Sequence, residues 1–205
     1  ACIQAVDTFG GINRVPFEEG IALGSIVQIG EEVDAQYYKS LTALSGTKRA
    51  DIKVVYTPLH GAGLRTIKNV FPAAGISNLF IVPEQSEPDG DFSTVKSPNP
   101  EDADALNMAI ALAQKKDADL VIGTDPDADR MGAAVRSAKG GYDMLSGNQI
   151  GCLLIAYLLE KRKREGRLTP GDYIVKSFVS TELADAIARY YGIACHTVLT
   201  GFRFI

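Results

Sequence analysis

The sequence predicts an α/β protein: two consecutive three-layer units with mixed, mostly parallel sheets, the second of them incomplete. Three observations point that way. From Asp51 onward, short β-branched or apolar runs alternate with segments of helical periodicity, the pattern of strand–helix–strand units around a parallel sheet. The alternation restarts after Lys139-Gly140-Gly141, with too little chain behind it to complete a second sheet. Of 205 residues, 46% are hydrophobic and 22% charged, with 20 glycines and 9 prolines, which excludes a disordered, collagen-like or coiled-coil chain.

The elements follow in order. The first 50 residues read as a connecting region with weak sheet signals, broken at Gly10-Gly11 and Pro16. Within them Asp34 to Leu44 has the spacing of an amphipathic helix, and Gly46-Thr47-Lys48-Arg49 is a polar break. Ile52 to Tyr56 is a strand, and Gly61-Ala62-Gly63 opens a helix over Leu64 to Ala74. Leu79 to Val82 is a second strand, followed by a polar, proline-bearing loop from Glu84 to Pro100 that is too long for a mere connection. Glu101 to Lys116 is a helix, with Ala105, Met108, Ala109 and Leu112 on one face and acids in its first turn, where the helix dipole favours them. Leu120 to Gly123 and Met131 to Val135 are strands flanking an acidic loop. The second unit has helices at Asn148 to Arg164 and Thr181 to Tyr190, and strands at Tyr173 to Lys176 and Cys195 to Leu199.

A net charge of −4 gives no basic footprint for nucleic acid. The longest apolar run, Ile150 to Leu159, is shorter than the roughly 20 residues a membrane helix needs. Nothing at the N-terminus resembles a signal peptide. Cys2, Cys152 and Cys195 are odd in number and widely spaced, which fits a reducing, cytoplasmic setting better than a disulfide framework or a zinc knuckle. The chain begins without Met and stops in the aromatic run Phe202-Arg203-Phe204-Ile205, so a segment cut from a longer protein is expected.

The most informative stretch is Leu120-Val121-Ile122-Gly123-Thr124-Asp125-Pro126-Asp127-Ala128-Asp129-Arg130. Three carboxylates at alternate positions just past a buried strand repel one another unless a cation neutralises them. In a looped backbone they can converge into a hard oxygen site suited to Mg²⁺ or another divalent ion. The crevice beyond strand C-ends is also where open α/β sheets bind ligands. Arg130 beside such a metal is a natural clamp for phosphate. An EF-hand is excluded, because Arg130 and Arg136 stand where its Gly and Glu belong. A haloacid-dehalogenase-like phosphatase, with Asp125 as nucleophile, fits less well because Asp129 stands where it carries Thr or Val. A solvated acidic turn in a non-catalytic α/β ligand-binding module is the remaining alternative.

The loop resembles the metal-binding loop of the α-D-phosphohexomutases, the phosphoglucomutase and phosphomannomutase superfamily, whose usual form is Asp-Gly-Asp-x-Asp-Arg. Pro126 in place of Gly is similar to the phosphoglucomutase-2-like branch, which includes phosphopentomutases. The resemblance extends to Val55-Tyr56-Thr57-Pro58-Leu59-His60-Gly61-Ala62-Gly63, to Pro88-Asp89-Gly90-Asp91-Phe92 and to Lys96-Ser97-Pro98-Asn99-Pro100-Glu101. Leu145 to Gly151, Lys176 to Thr181 and Leu199 to Ile205 continue it in the family's order.

This resemblance implies a mutase moving phosphate between the 1- and 6-positions of a hexose (or 1 and 5 of a pentose) through a phosphoserine and a bisphosphosugar. Asp125, Asp127 and Asp129 would hold Mg²⁺, Arg130 would contact the phosphoryl group, and Thr200 and Gly201 would touch the sugar. The implied substrate is a phosphosugar, with glucose 1,6-bisphosphate as intermediate and activator of the full-length enzyme. Residues 1–48 would then close a first domain and carry a linker helix, 49–139 would form domain II, and 140–205 a truncated domain III. The family's Thr-Ala-Ser-His-Asn-Pro phosphoserine motif, its Gly-Glu-x-Ser sugar loop and its fourth domain are not in this sequence. A middle fragment, inactive alone, is therefore expected.

Other candidates have plainer readings. His60 reads as a local hydrogen-bonding residue and Gly61-Ala62-Gly63 as a tight turn, with a phosphate cradle as the rival use. His196 is a strand residue, Cys152 a core residue, and Asn148, Tyr157 and Ser180-Thr181 helix-face or cap residues. Lys161-Arg162-Lys163-Arg164 suits a helix C-terminus.

Overall fold

The computed structural model describes residues 14–45 and 50–205. The expected breaks at Gly10-Gly11 and at residues 46–49 lie outside them. The chain divides into two units, Ala1–Leu41 and Thr42–Ile205. In the first, α1 (Phe17–Ala22) follows Pro16 and packs its one buried residue, Gly20, against Ile26. Helix α2 (Glu31–Leu44) crosses the boundary and carries Glu31, Glu32 and Asp34 in its first turn, where acids complement the dipole. The described residues before 46 are thus helical or irregular, and the weak sheet signals expected there form no strand. Those runs lack a neighbouring ladder among the described residues.

The second unit opens on β1 (Ala50–Thr57), followed by α3 (Gly63–Ala73), β2 (Ile76–Ile81), α4 (Ala103–Lys116), β3 (Leu120–Thr124), β4 (Met131–Arg136) and β5 (Tyr142–Leu145). The sheet order is β2-β1-β3-β4-β5, parallel at β1–β2 and β1–β3 and antiparallel at β3–β4 and β4–β5. Strand β1 sits inside the sheet, and Val54, Val55 and Tyr56 are fully buried. That is why Val54-Val55-Tyr56 reads as a continuous apolar run. Helix α4 lays Leu106, Ala109 and Ala113 against Val55, Val82, Val121 and Ala134. It ends at Asp117, which takes the left-handed conformation.

One strand was not expected. Lys139-Gly140-Gly141 is a hairpin turn, with Gly140 and Gly141 at positive φ and Ser137 N–H donating to Gly141 O at 3.0 Å. The chain therefore does not pass directly to the next helix. It first adds β5 to the same sheet, with Tyr142 and Met144 packed on the core.

Helix α5 (Gly147–Arg164) follows, then β6 (Tyr173–Ser177), α6 (Leu183–Tyr191) and β7 (Ala194–Val198). Ser146 and Gln149 form a reciprocal capping box at the start of α5. Its last turn carries the four expected cations. Strands β6 and β7 form a two-stranded parallel sheet. Leu159, Ala188 and Ile193 close on one face with Ile155, Ile174 and Cys195, while Tyr173 and His196 stack edge to face on the other. Both sheets are thus flanked by helices, and three of the five ladders are parallel, as the fold class predicts. Cys152 is buried as expected, and no helix among the described residues is long and apolar enough to cross a membrane.

Candidate active site

From β1 the chain runs first to β2 on one side and then returns to β3 on the other. The strand order therefore reverses at β1–β3, and the loops leaving these two parallel strands open side by side at their C-terminal ends. Such a reversal is where open α/β sheets present ligand-binding loops. The loop after β3 is the acidic one. It is fastened to the loop after β1 by the Ala62 N–H, which donates to Pro126 O at 2.8 Å. Gly61 makes this approach possible: a Cβ there would run into the Pro126 backbone. Gly61 N–H is itself bonded to Pro58 O at 2.8 Å. These two N–H groups are spent within the fold, as a tight turn between strand and helix requires.

Within the loop Asp125 is buried and its two oxygens are both engaged. Oδ1 accepts the Arg130 backbone N–H and Oδ2 accepts Arg130 Nε–H, each at 2.9 Å. Ala128 adopts φ 59°, the left-handed conformation that turns the loop back on itself. One carboxylate oxygen from each of Asp125, Asp127 and Asp129 lies within 4.8 Å of the others. Two bonds of about 2.1 Å to Mg²⁺ span at most ~4.2 Å across an octahedron, so small side-chain movements would bring this set onto one ion. Asp127 and Asp129 are exposed, which leaves room for further ligands.

The electrostatics of the loop are those of an under-neutralised cluster. Burial pushes the Asp125 carboxyl up, but the Arg130 backbone N–H and guanidinium outweigh it and hold the pKa below its ordinary value. Asp129 is pushed up, first by sharing a hydrogen bond with Asp125, then by burial and by the charges of Asp127 and Asp125. The Arg130 guanidinium is held in its charged form chiefly by Asp125.

A second polar system, unread in the sequence, pins the long loop between β2 and α4. Leu59 N–H donates to Thr57 Oγ1 at 3.1 Å, and Thr57 Oγ1–H donates to Gln85 Oε1 at 2.6 Å. Gln85 Nε2–H donates to Thr94 Oγ1 at 3.1 Å. His60 Nδ1 lies 3.0 Å from Glu87 O and its Nε2 2.8 Å from Thr94 Oγ1. A carbonyl only accepts, so Nδ1 carries a proton, and Nε2 shares its hydrogen bond with the Thr94 hydroxyl. His60 is thus a buried anchor, as its plainer reading holds.

Farther along the same loop, Asp89 accepts from Ser93 Oγ at 2.7 Å, Ser93 N at 3.0 Å and Asp91 N at 2.9 Å. These bonds, the Ser93 hydroxyl first, lower its pKa to about 2. The folded value lies below the roughly 3.9 of a free aspartate, so its contribution to stability is present above pH ~4 and is lost as pH falls towards 2. Asp89→Asn is expected to flatten the pH dependence of unfolding across that window. Urea titrations at several acid pH values check it.

Thr200 and Gly201 follow β7 and are exposed, with Gly201 at φ 122°. No hydrogen bond or ion pair among the described residues joins either to the acidic loop. A cleft of about 370 Å³, which neither of them lines, is bounded by Lys176, Ser180, Asp185 and Arg189. Lys176, 9% exposed, pairs with Asp185 at 3.2 Å. This pair went unread, because nothing in the alternation of β6 separates a buried Lys from a solvated one. Asn148, in the first turn of α5, accepts the Thr181 N–H at 3.0 Å, a tie to the segment before α6 and not a cap of either helix.

Comparison with known proteins adds family matches over most of the chain. Residues 35–140 match the family model described as phosphoglucomutase/phosphomannomutase, alpha/beta/alpha domain II, and residues 146–205 match the domain III model of the same family. A phosphoglucomutase of Staphylococcus epidermidis is 41% identical over 181 residues, covering 88% of this chain and 32% of its own. The crystal structure of a phosphoglucomutase/phosphomannomutase family protein from Burkholderia thailandensis superposes with a TM-score of 0.64 at 23% identity, over 82% of this chain and 33% of that one. N-acetylphosphoglucosamine mutase of Aspergillus fumigatus, in complex with GlcNAc-6P and magnesium, shares the fold with a TM-score of 0.51 at 16% identity, over 89% of this chain and 35% of that one. The chain spans about a third of the length of the relatives it matches.

Proposed function

Because the chain belongs to the phosphoglucomutase/phosphomannomutase family, we propose that it supplies the metal loop and part of the sugar site of an enzyme interconverting sugar 1- and 6-phosphates. The observation that carries this reading is the convergence of Asp125, Asp127 and Asp129 at the β1–β3 reversal, with Arg130 locked beside them. The three hard carboxylate oxygens suit Mg²⁺, and a bound ion there would neutralise charge on a phosphoryl group. Arg130, fixed by Asp125, would present its guanidinium to that phosphoryl group. Thr200 and Gly201 would meet the sugar, from the loop after β7.

In the family's terms residues 49–139 would be domain II and 140–205 part of domain III, except that β5 (Tyr142–Leu145) belongs with the domain II sheet, and residues 1–48 would lead in from a first domain. The substrate of the whole protein would be a phosphosugar, with glucose 1,6-bisphosphate as its intermediate and activator. Free Cys152 and Cys195 are consistent with a cytoplasmic setting.

Calorimetric titration with Mg²⁺ tests the reading. Weak binding is expected for the chain and none for Asp127→Asn, whereas equal binding by the two proteins would overturn the metal assignment. The chain by itself is expected not to convert glucose 1-phosphate to glucose 6-phosphate. Turnover by the pure chain would show that it holds a complete site.

A further inference from the structure

Two glycines stand side by side in the sheet next to the acidic loop: Gly123 of β3 and Gly132 of β4 are register partners. With no side chains on that patch, Pro100 lies against bare backbone. A Cβ on Gly132 would run into the Pro100 carbonyl, and one on Gly123 would sit 3.6 Å from Pro100 Cβ. Pro100 is fully buried in this seat. The seat fixes the residue before it. Asn99 Oδ1 accepts the Glu101 N–H at 3.2 Å and, on the side of the acidic loop, Arg130 Nη1–H at 3.5 Å.

Arg130 is therefore held from two directions, at Nε by Asp125, with Asp129 Oδ1 3.8 Å from the same atom, and at Nη1 by Asn99. Either contact alone leaves the guanidinium free to swing about its long side chain. Together they fix its plane, and Nη2 carries no hydrogen bond among the described residues. A planar fork presents paired donors to an oxyanion only when that plane is set.

We propose that Asn99 is a positioning residue, seated by Pro100 on the Gly123–Gly132 patch, that sets the plane of the Arg130 guanidinium for a phosphoryl oxygen. The proposal rests on the reading of Arg130 as a phosphoryl contact, but the orientation can be measured without activity or ligand. The experiment is arginine side-chain NMR on the whole chain, following the Arg130 guanidinium in wild type, Asn99→Ala, Asn99→Ser and Asn99→Asp. Rotation about the Arg130 Nε–Cζ bond is expected to speed up about fivefold in Asn99→Ala. Asn99→Asp, which keeps an acceptor, is expected to restore the slow rotation.

Asn99→Ser covers the case in which the alanine variant fails to fold. Its hydroxyl still accepts the Glu101 N–H but is too short to reach Arg130, so it should behave as Asn99→Ala does. Unchanged Arg130 signals in Asn99→Ser, or failure of Asn99→Asp to restore them, would overturn the proposal. Titration with inorganic phosphate separates the two inferences. Loss of orientation in Asn99→Ser with no phosphate response in wild type supports the Asn99 contact and counts against the phosphoryl role of Arg130.

Discussion

Leu106→Ala is expected to cost the chain about 3 kcal/mol, the middle of the range for emptying a fully buried leucine site. Leu106 is fully buried on α4, and its Cδ2 lies over Gly123, close to where a Cβ on that glycine would stand. Gly123→Ala alone is therefore also expected to destabilise, by about 2 kcal/mol, because the new methyl meets Leu106 and stands only 3.3 Å from Thr57 Cγ2. The double variant should cost less than the sum. The methyl that Gly123→Ala introduces grows into the space that the Leu106 side chain has left, and a coupling of ~1 kcal/mol or more is expected between residues in such contact. Urea unfolding of the four proteins measures it. Strict additivity would mean that α4 does not seat on β3 at this point.

Gln85→Leu is expected to have a comparable effect, about 3 kcal/mol. Gln85 is fully buried and its amide serves two hydroxyls, accepting from Thr57 and donating to Thr94. Leucine is of similar size, so packing alone would cost little. It leaves the fully buried Thr57 hydroxyl without its acceptor, and a buried unsatisfied group costs ~1–3 kcal/mol. The Thr94 hydroxyl also loses a donor, and its bond to His60 is no longer braced. A second variant, Thr57→Val with Gln85→Leu, removes that donor and acceptor together but takes the acceptor from the buried Leu59 N–H as well, so no recovery is expected. Thermal unfolding of the single and double variants gives both numbers. A single variant as stable as the parent would show that the relay is not formed in solution.

What could be read in advance divides by the range of the interactions concerned. Ile52 to Tyr56 and Leu120 to Gly123 were legible as strands because burial on both faces leaves the short apolar runs Val54-Val55-Tyr56 and Leu120-Val121-Ile122. The three aspartates were legible because their spacing is local and their mutual repulsion calls for an explanation within five residues. The relay from Thr57 through Gln85 and Thr94 to His60 was not. Its members are brought together by a tertiary loop, and threonine and glutamine carry no periodic signal. Asn99 stood inside a recognisable segment, yet its reach to Arg130 spans 31 residues and depends on a glycine pair created by strand register. β5 was missed for a different reason. Four residues behind two glycines offer too short an alternation to stand out from a turn, and pairing with β4 decides the matter.

The two-stranded β6–β7 ladder gives each of its strands a single neighbour, against two for β1, β3 and β4. Isolated pairs of strands are marginal in water, and this one leans on α5 and α6 for its survival. Cooperativity is accordingly uneven along the chain. The amides of β6 and β7 are expected to exchange with solvent sooner than those of β1 and β3. The outer margins of the pair meet no other strand among the described residues, and such edges are templates for further strands.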